Sequence, residues 1–285
     1  MLRQDWHLDR GADGRNPGLF YSRLIHLPSQ SVQNIAFLDN QYTVGDLTQN
    51  FSAETGPAAP LAMKALHVIA RLCNEAKFDD TGISLPIEER TIKGNATDAA
   101  VLRFAESLSL PSIGVNSDTL RASHTKVFEI PFNSRNKWML SVVRENGAND
   151  SDSWMLVKGA PDVLFPHCSN ALKADGTVVP IDSSVQVQLN SLQAEWSSQG
   201  QRVLALCRRT LPAIKVDTST MSANDLEDIM YAELQGLTLV GLVGIRDPPR
   251  YDVKDAINII RRAGIRVFMV TGDFKLTAVA IARQV

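Results

Sequence analysis

Apolar residues recur at helical spacing in three long segments of the chain. After Pro60 they occupy one face of a predicted helix, while charged residues occupy the other face. A second helix is predicted over 96–108, where Asn95 is a suitable N-cap. A third is predicted over 184–199, and Gly200 follows it as a terminator. We therefore expect three long helices in the first two hundred residues.

Strand patterns separate these helices. Residues rich in β-branched and aromatic side chains lie at 127–132, 138–144 and 154–158, and a polar stretch joins the last two as a hairpin. Further strands are predicted at 202–208 and 237–243. Nearer the start, 35–42 reads as a strand and 45–60 as a polar loop. This order predicts an α+β fold, an antiparallel sheet flanked by helices.

The pattern changes after residue 243. A helix at 252–262, a strand at 266–270 and a helix starting near Lys275 alternate as in a parallel α/β unit. Such a short piece cannot complete its own core, so we expect a domain truncated by the end of the chain. The predicted division is an irregular, unassigned segment 1–30, a first domain 31–243 and a partial α/β domain 244–285.

Composition narrows the function classes. The chain has 285 residues, 44% of them hydrophobic, and a net charge of −2, so no basic surface for nucleic acid is expected. The apolar run 237–245 is far shorter than the roughly 20 residues of a membrane-spanning helix, so direct membrane insertion is not expected. There is no signal-peptide pattern, the three cysteines suit a reducing compartment, and no metal-ligand spacing is present.

The first candidate binding residues surround a predicted strand end. Lys158 can direct its ammonium group at phosphates or its stem at a purine, and Gly159 and Ala160 are small enough for a base to approach the backbone. Phe132 can stack on a base, a contact that contributes roughly 1–3 kcal/mol, and Lys137 can add positive charge. The alternatives are a tight turn with a solvated lysine and a phenylalanine in the core.

Two further candidates have equally ordinary alternatives. Asp98 can accept a hydrogen bond from an adenine amino group, or it can stabilise the helix N-terminus three residues after Asn95. Arg202 begins a strand and can reach a phosphate through its planar guanidinium, or it can be solvated.

A second group of candidates lies near the C-terminus. Thr271, Gly272 and Asp273 follow an apolar strand, the position where ligands bind in α/β sheets. Threonine and glycine can hold phosphate oxygens, and Asp273 can position a water or respond to magnesium, or simply cap the next helix. Asp247 begins Asp-Pro-Pro-Arg, which suits a stiff hinge. No Walker A or Gly-x-Gly-x-x-Gly loop is present to hold ATP.

Taken in order, these motifs resemble the nucleotide-binding region of type II P-type cation-transporting ATPases, of the sodium/potassium-pump alpha-subunit kind, fungal relatives included. The resemblance covers roughly residues 31–285. It rests on six segments, Ile-Ala-Arg-Leu-Cys-Asn at 69–74, Glu-Ile-Pro-Phe-Asn-Ser at 129–134, Lys-Gly-Ala-Pro at 158–161, Arg-Val-Leu at 202–204, Asp-Pro-Pro-Arg at 247–250 and Met-Val-Thr-Gly-Asp at 269–273.

The resemblance implies a nucleotide-binding (N) domain followed by part of a haloacid-dehalogenase-like phosphorylation (P) domain. It implies ATP as the ligand, with magnesium used only in the complete pump, and the rest of the pump as partner. The complete pump would present this region on the cytoplasmic side of a membrane, whereas the isolated chain would be soluble. The implied nucleotide-binding residues are Asp98, Phe132, Lys137, Lys158, Gly159, Ala160 and Arg202. Thr271, Gly272 and Asp273 would face the phosphoryl site, with Asp247 at the hinge.

Several departures from the family pattern limit what the chain can do. Asp98 and Met139 stand where the family usually has glutamate and glutamine, and Phe274-Lys275 replaces His-Pro. No Asp-Lys-Thr-Gly occurs, so the phosphorylated aspartate is missing and no catalytic residue is expected. The segments 79–82 and 45–50 resemble parts of that motif but lack its lysine or its aspartate.

The expected function is therefore an ATP-binding fragment of a cation pump, inactive in isolation. One alternative is a haloacid-dehalogenase-type phosphatase, but its Asp-x-Asp nucleophile on a first strand is not found. Another is a non-catalytic fragment or a mispredicted or decayed gene product.

Overall fold

The computed structural model describes residues 30–51, 60–108, 116–147, 152–212 and 222–285. Of the irregular segment predicted at 1–30, only Gln30 lies within the described residues. The described strands are β1 (Ser31–Ala36), β2 (Gln41–Thr43), β3 (Lys77–Phe78), β4 (Ile92–Lys93), β5 (His124–Ile130), β6 (Trp138–Glu145), β7 (Asp152–Gly159), β8 (Cys168–Leu172), β9 (Val178–Pro180), β10 (Gln201–Pro212) and β11 (Leu237–Arg246). The described helices are α1 (Val44–Phe51), α2 (Leu61–Leu72), α3 (Ala96–Ser107), α4 (Ser117–Ala122), α5 (Pro161–Leu164), α6 (Ser183–Ser198), α7 (Ala223–Glu233), α8 (Val253–Arg262) and α9 (Lys275–Gln284).

One large sheet organises the fold. Its strand order is β2-β1-β11-β10-β7-β6-β5, and all of these neighbours are antiparallel. The first residues of β11 also pair with β8 in parallel, and β9 extends from β8. The predicted antiparallel sheet with flanking helices is confirmed.

The sheet separates two apolar layers. Alternate residues of β10 point to opposite sides, because successive side chains of a strand alternate. Leu204 and Leu206 pack with α2 and α3, whereas Val203, Ala205 and Cys207 pack with α6 and α7. Side chains from helices on both faces of the sheet can therefore reach the start of β10.

The three long predicted helices are confirmed, and their ends follow the expected capping chemistry. Asn95 Oδ1 accepts a hydrogen bond from Asp98 N at 2.8 Å, which starts α3. Gly200 follows α6 with a φ of 82°, a conformation that glycine adopts without strain. This tight ending directs the chain straight into β10.

The prediction of a loop over 45–60 is wrong where the structure describes it, because α1 occupies its first part. Thr43 and Asp46 exchange side-chain-to-backbone hydrogen bonds at the start of this helix. Leu47 is fully buried in the core, so tertiary packing stabilises a helix too short to show a clear period. The single strand predicted at 35–42 is instead the hairpin of β1 and β2.

The segment after residue 243 differs from the prediction in two ways. β11 continues to Arg246, whose partners are Ser31 and Gln201, so the sheet extends three residues past the predicted domain division. The predicted strand at 266–270 is wrong, because no described strand pairs with it and Val270 is 95% exposed. A strand needs a neighbour to accept and donate its hydrogen bonds. The two flanking helices, α8 and α9, are present as predicted.

Candidate functional site

A cavity of about 630 Å³ opens where β7 ends and β10 begins. It is lined from both faces of the sheet, by the start of α3 on one side and by α6 on the other. Most of the predicted site residues line it together, namely Asp98, Phe132, Lys137, Lys158, Gly159, Ala160, Arg202, Gly272 and Asp273. Asp247 lines an adjoining cavity of about 290 Å³, and Thr271 lines neither.

The floor of the cavity is a buried ion pair. Lys158 Nζ lies 2.6 Å from Asp98 Oδ1, and each side chain is 5% exposed. Asp98 Oδ2 also accepts a hydrogen bond from the backbone N of Glu75 at 3.1 Å. The alternative of a solvated lysine is therefore wrong, and Asp98 is committed to a partner rather than free to approach a ligand. Burial raises the pKa of the neighbouring Cys73 thiol to about 11, and the charge of Lys158 opposes that rise.

Gly159 is required by the neighbouring strand. A Cβ at this position would lie 2.5 Å from the Cβ of Trp138 and 2.6 Å from the carbonyl oxygen of Lys137. The same carbonyl accepts a hydrogen bond from Ala160 N at 3.0 Å, and Lys137 has a φ of 60°. Strand packing thus accounts for the glycine, where the sequence suggested close approach of a ligand. Phe132 lines the same cavity and is 55% exposed.

Arg202 joins the two parts of the chain across the cavity. Its Nη2 lies 2.7 Å from Asp273 Oδ1 and its Nε lies 3.1 Å from the same oxygen. Its Nη1 donates to Thr97 Oγ1 at 3.0 Å, and Thr97 in turn donates to Gln30. Gln30 completes the chain of contacts by donating to Asp247 Oδ2 at 2.7 Å. The alternatives of a solvated Arg202 and of Asp273 as N-cap are wrong, since Phe274 occupies the cap position of α9.

Sequence reasoning missed several polar residues of the cavity wall. Gln193 and Ser197 lie on α6 among the buried apolar side chains Leu189, Leu192 and Trp196, and both line the cavity. The signal that marks them in the sequence is a polar residue on the apolar face of a helix. Gln30 was missed because it belonged to the unassigned segment 1–30.

The two partial copies of the phosphorylation motif lie outside the cavity. Asp79 follows β3, where Lys93 Nζ lies 2.8 Å from its carboxylate and Thr81 donates to it. The hydrogen bonds from Lys93 and Thr81 lower the pKa of Asp79 to about 2. The segment 45–50 forms most of α1. Within the described ranges there is no cluster of three or more His, Cys, Asp or Glu residues arranged to hold a metal ion.

Comparison with known proteins gives matches over most of this chain. A family described as "P-type ATPase, cytoplasmic domain N" matches residues 62–252. Over 249 residues the chain is 36% identical to the sodium/potassium-transporting ATPase subunit alpha-A of Artemia franciscana, covering 87% of this chain and 24% of that protein. Over 259 residues it is 34% identical to the potassium-transporting ATPase alpha chain 2 of Rattus norvegicus, covering 90% of this chain and 24% of that protein. The chain thus spans about a quarter of the length of these relatives. Its described part contains no helix long and apolar enough to cross a membrane.

Proposed function

Since the chain belongs to the P-type ATPase family, whose cytoplasmic N domain it contains, we propose that its main cavity binds ATP. The observation that carries the proposal is an exposed phenylalanine, Phe132, at the mouth of a cavity with a buried lysine in its floor. A flat base can stack on that ring, at roughly 1–3 kcal/mol, without displacing any side chain from a hydrogen bond. Adenine would then lie between Phe132 and the turn formed by Lys158, Gly159 and Ala160.

The phosphates would extend toward Arg202. Its guanidinium and the ammonium groups of Lys137 and Lys158 are the cationic groups at the cavity wall. Lys158 is held in a buried pair with Asp98, whereas the pair of Arg202 with Asp273 is about one third exposed, and a phosphate could replace that carboxylate. Arg202 suits a phosphate because its fork offers parallel donors. Gly272 would lie at the same end, with Thr271 beside it in sequence, and Asp247 would act at the hinge. Asp98 would support the nucleotide indirectly, by holding Lys158.

The described residues do not offer magnesium a site of their own. Asp273 supplies oxygen ligands suited to this ion, but its carboxylate is engaged by Arg202. Magnesium would therefore belong to the complete pump and its nucleotide, as the family implies.

In the complete protein this region would serve ATP-driven cation transport together with the rest of the pump, on the cytoplasmic side. We infer that 244–285 is part of the haloacid-dehalogenase-like phosphorylation domain, because the helices α8 and α9 lie on either side of an apolar segment, 266–270, whose composition is that of a strand. No Asp-Lys-Thr-Gly is present, so we expect the chain to bind ATP without becoming phosphorylated. Retained γ-label that is lost on Asp79→Asn would contradict this expectation.

Calorimetric titration of the 285-residue chain with ATP tests the site. Phe132→Ala removes the stacking surface and should weaken binding about tenfold, which corresponds to about 1.4 kcal/mol. Phe268→Ala is the matched control, because Phe268 is exposed but lies outside the cavity, and it should leave affinity unchanged. Equal affinity in wild type and Phe132→Ala would show that the base binds elsewhere.

A further inference from the structure

We propose that Gln193 and Ser197 of α6 form a subsite that binds the sugar hydroxyls of the nucleotide. The proposal rests on the proposed function, because it assigns the part of the same ligand between the base and the phosphates. It concerns two uncharged side chains, one helical turn apart on the same face of α6.

Both side chains are buried, and the hydroxyl of Ser197 has no partner among the described residues. Gln193 is 4% exposed and Ser197 is 1% exposed, yet both line the cavity. In the part of the chain that the structure describes, the Ser197 hydroxyl has no hydrogen-bond partner. Buried polar groups in folded proteins are nearly always hydrogen-bonded, and an unpaired one is destabilising. An unpaired hydroxyl that lines a cavity, with the Gln193 carboxamide one turn away on the same wall, indicates that a ligand supplies the missing hydrogen bond.

The chemistry of these groups selects a neutral ligand group. A hydroxyl and a carboxamide each donate and accept hydrogen bonds, as do the two neighbouring hydroxyls of a ribose. Ser197 also lies in the last turn of α6, where the helix dipole presents partial negative charge. That field disfavours phosphate oxygens, so the triphosphate belongs with Arg202 and not here.

Gln193 and Ser197 lie where the sugar of the nucleotide would be expected. Ser197 is five residues before Arg202 in the sequence. Gly200 turns the chain sharply between them, which places the end of α6 next to the start of β10. Pro161 and Val203 add apolar surface to the same wall, suited to the carbon face of a sugar ring. A nucleotide with its base on Phe132 and its phosphates at Arg202 would have to carry its ribose across the space between them.

Deoxynucleotides separate this subsite from the rest of the site. Wild-type chain should bind ATP about three- to tenfold more tightly than 2′-deoxy-ATP or 3′-deoxy-ATP, the range expected for one hydrogen bond. Ser197→Ala and Gln193→Leu should each reduce that preference, by weakening ATP and leaving the deoxynucleotide nearly unchanged. Ser198→Ala is the matched control, since Ser198 is exposed on the same helix and donates to Glu195 O. It should keep the wild-type preference.

The outcomes are distinct. Equal binding of ATP and both deoxynucleotides by wild type, or equal weakening of all of them by Ser197→Ala, overturns the subsite while ATP binding stands. If Ser197→Ala instead alters discrimination between ATP and ITP, the pair faces the base and the sugar assignment is wrong. If wild type binds no nucleotide, the proposed function fails and the subsite with it. Ser197→Ala should also melt no lower than wild type, because it removes an unpaired hydroxyl.

Discussion

His67→Leu should stabilise this fold, and more so in acid than at neutral pH. His67 lies on α2, is 1% exposed and packs edge-on against Phe104, with ring centroids 5.8 Å apart. Among the described residues neither ring nitrogen has a hydrogen-bond partner. Burial, assisted by the charge of Arg71, lowers the pKa of His67 from 6.5 to about 3. Leucine has a similar size, favours helix and carries no polar atom to desolvate.

The sign and size of the effect follow from proton linkage. Between pH 6.5 and about 3 the unfolded chain binds a proton at His67 and the folded chain does not. Stability is therefore fully present above pH 6.5 and is lost as pH falls, at about 1.4 kcal/mol per pH unit. From pH 6.5 to pH 5 the loss is about 2 kcal/mol. Removal of the two unpaired nitrogens should add roughly 1–3 kcal/mol at every pH.

Urea unfolding followed by tryptophan fluorescence at pH 7 and pH 5 measures both quantities. Wild type should lose about 2 kcal/mol more than His67→Leu between these two values. His124→Leu is the control, since His124 is only half-buried and its ring has hydrogen-bond partners, and it should leave the loss of stability contributed by His67 in place. If the pH dependence is the same in His67→Leu and wild type, the histidine is not held neutral and the reasoning fails.

Three other outcomes can be measured on the same chain. Lys158→Met should cost roughly 3–5 kcal/mol in urea unfolding at pH 7, because it leaves the Asp98 carboxylate buried and unpaired; a loss below 1 kcal/mol would contradict a buried pair. Asp273→Asn should strengthen ATP binding in calorimetry, since Arg202 loses a charged competitor; weaker binding would mean that Asp273 helps to hold the nucleotide. Amide hydrogens of 266–270 should exchange faster than those of β7, because no described strand protects them; equal protection would reveal a partner for this segment.

Local patterns predicted much of the fold. The helices α2, α3 and α6 have long apolar periods and readable ends at Pro60, Asn95 and Gly200, so their prediction needed no tertiary information. The short helix α1 depends on the burial of Leu47, which only the folded chain reveals. The strand predicted at 266–270 has the right composition, but composition does not supply a pairing partner.

The candidate site was predictable as a set of residues but not as a set of contacts. The sequence left open whether Phe132 is exposed after its strand or buried in the core, and the structure has it exposed at the cavity. The pairing of Lys158 with Asp98 joins residues from a strand and a helix distant in sequence, and each has an ordinary local role that hides it. The role of Gly159 depends on how close β6 lies, which no single-sequence pattern records.

The ion pair between Arg202 and Asp273 joins β10 to the segment that leads into α9. Any ligand that binds Arg202 in place of Asp273 is therefore coupled to the stability of that segment. If a phosphate binds the guanidinium in place of Asp273, the carboxylate loses its ion pair. The segment then loses the stabilising free energy that the pair provided. Linkage requires the converse in equal measure: whatever holds Asp273 against Arg202 must lower affinity for the triphosphate by the same factor. One arginine would then let the position of the C-terminal segment report whether the nucleotide is bound, without any contact between that segment and the base.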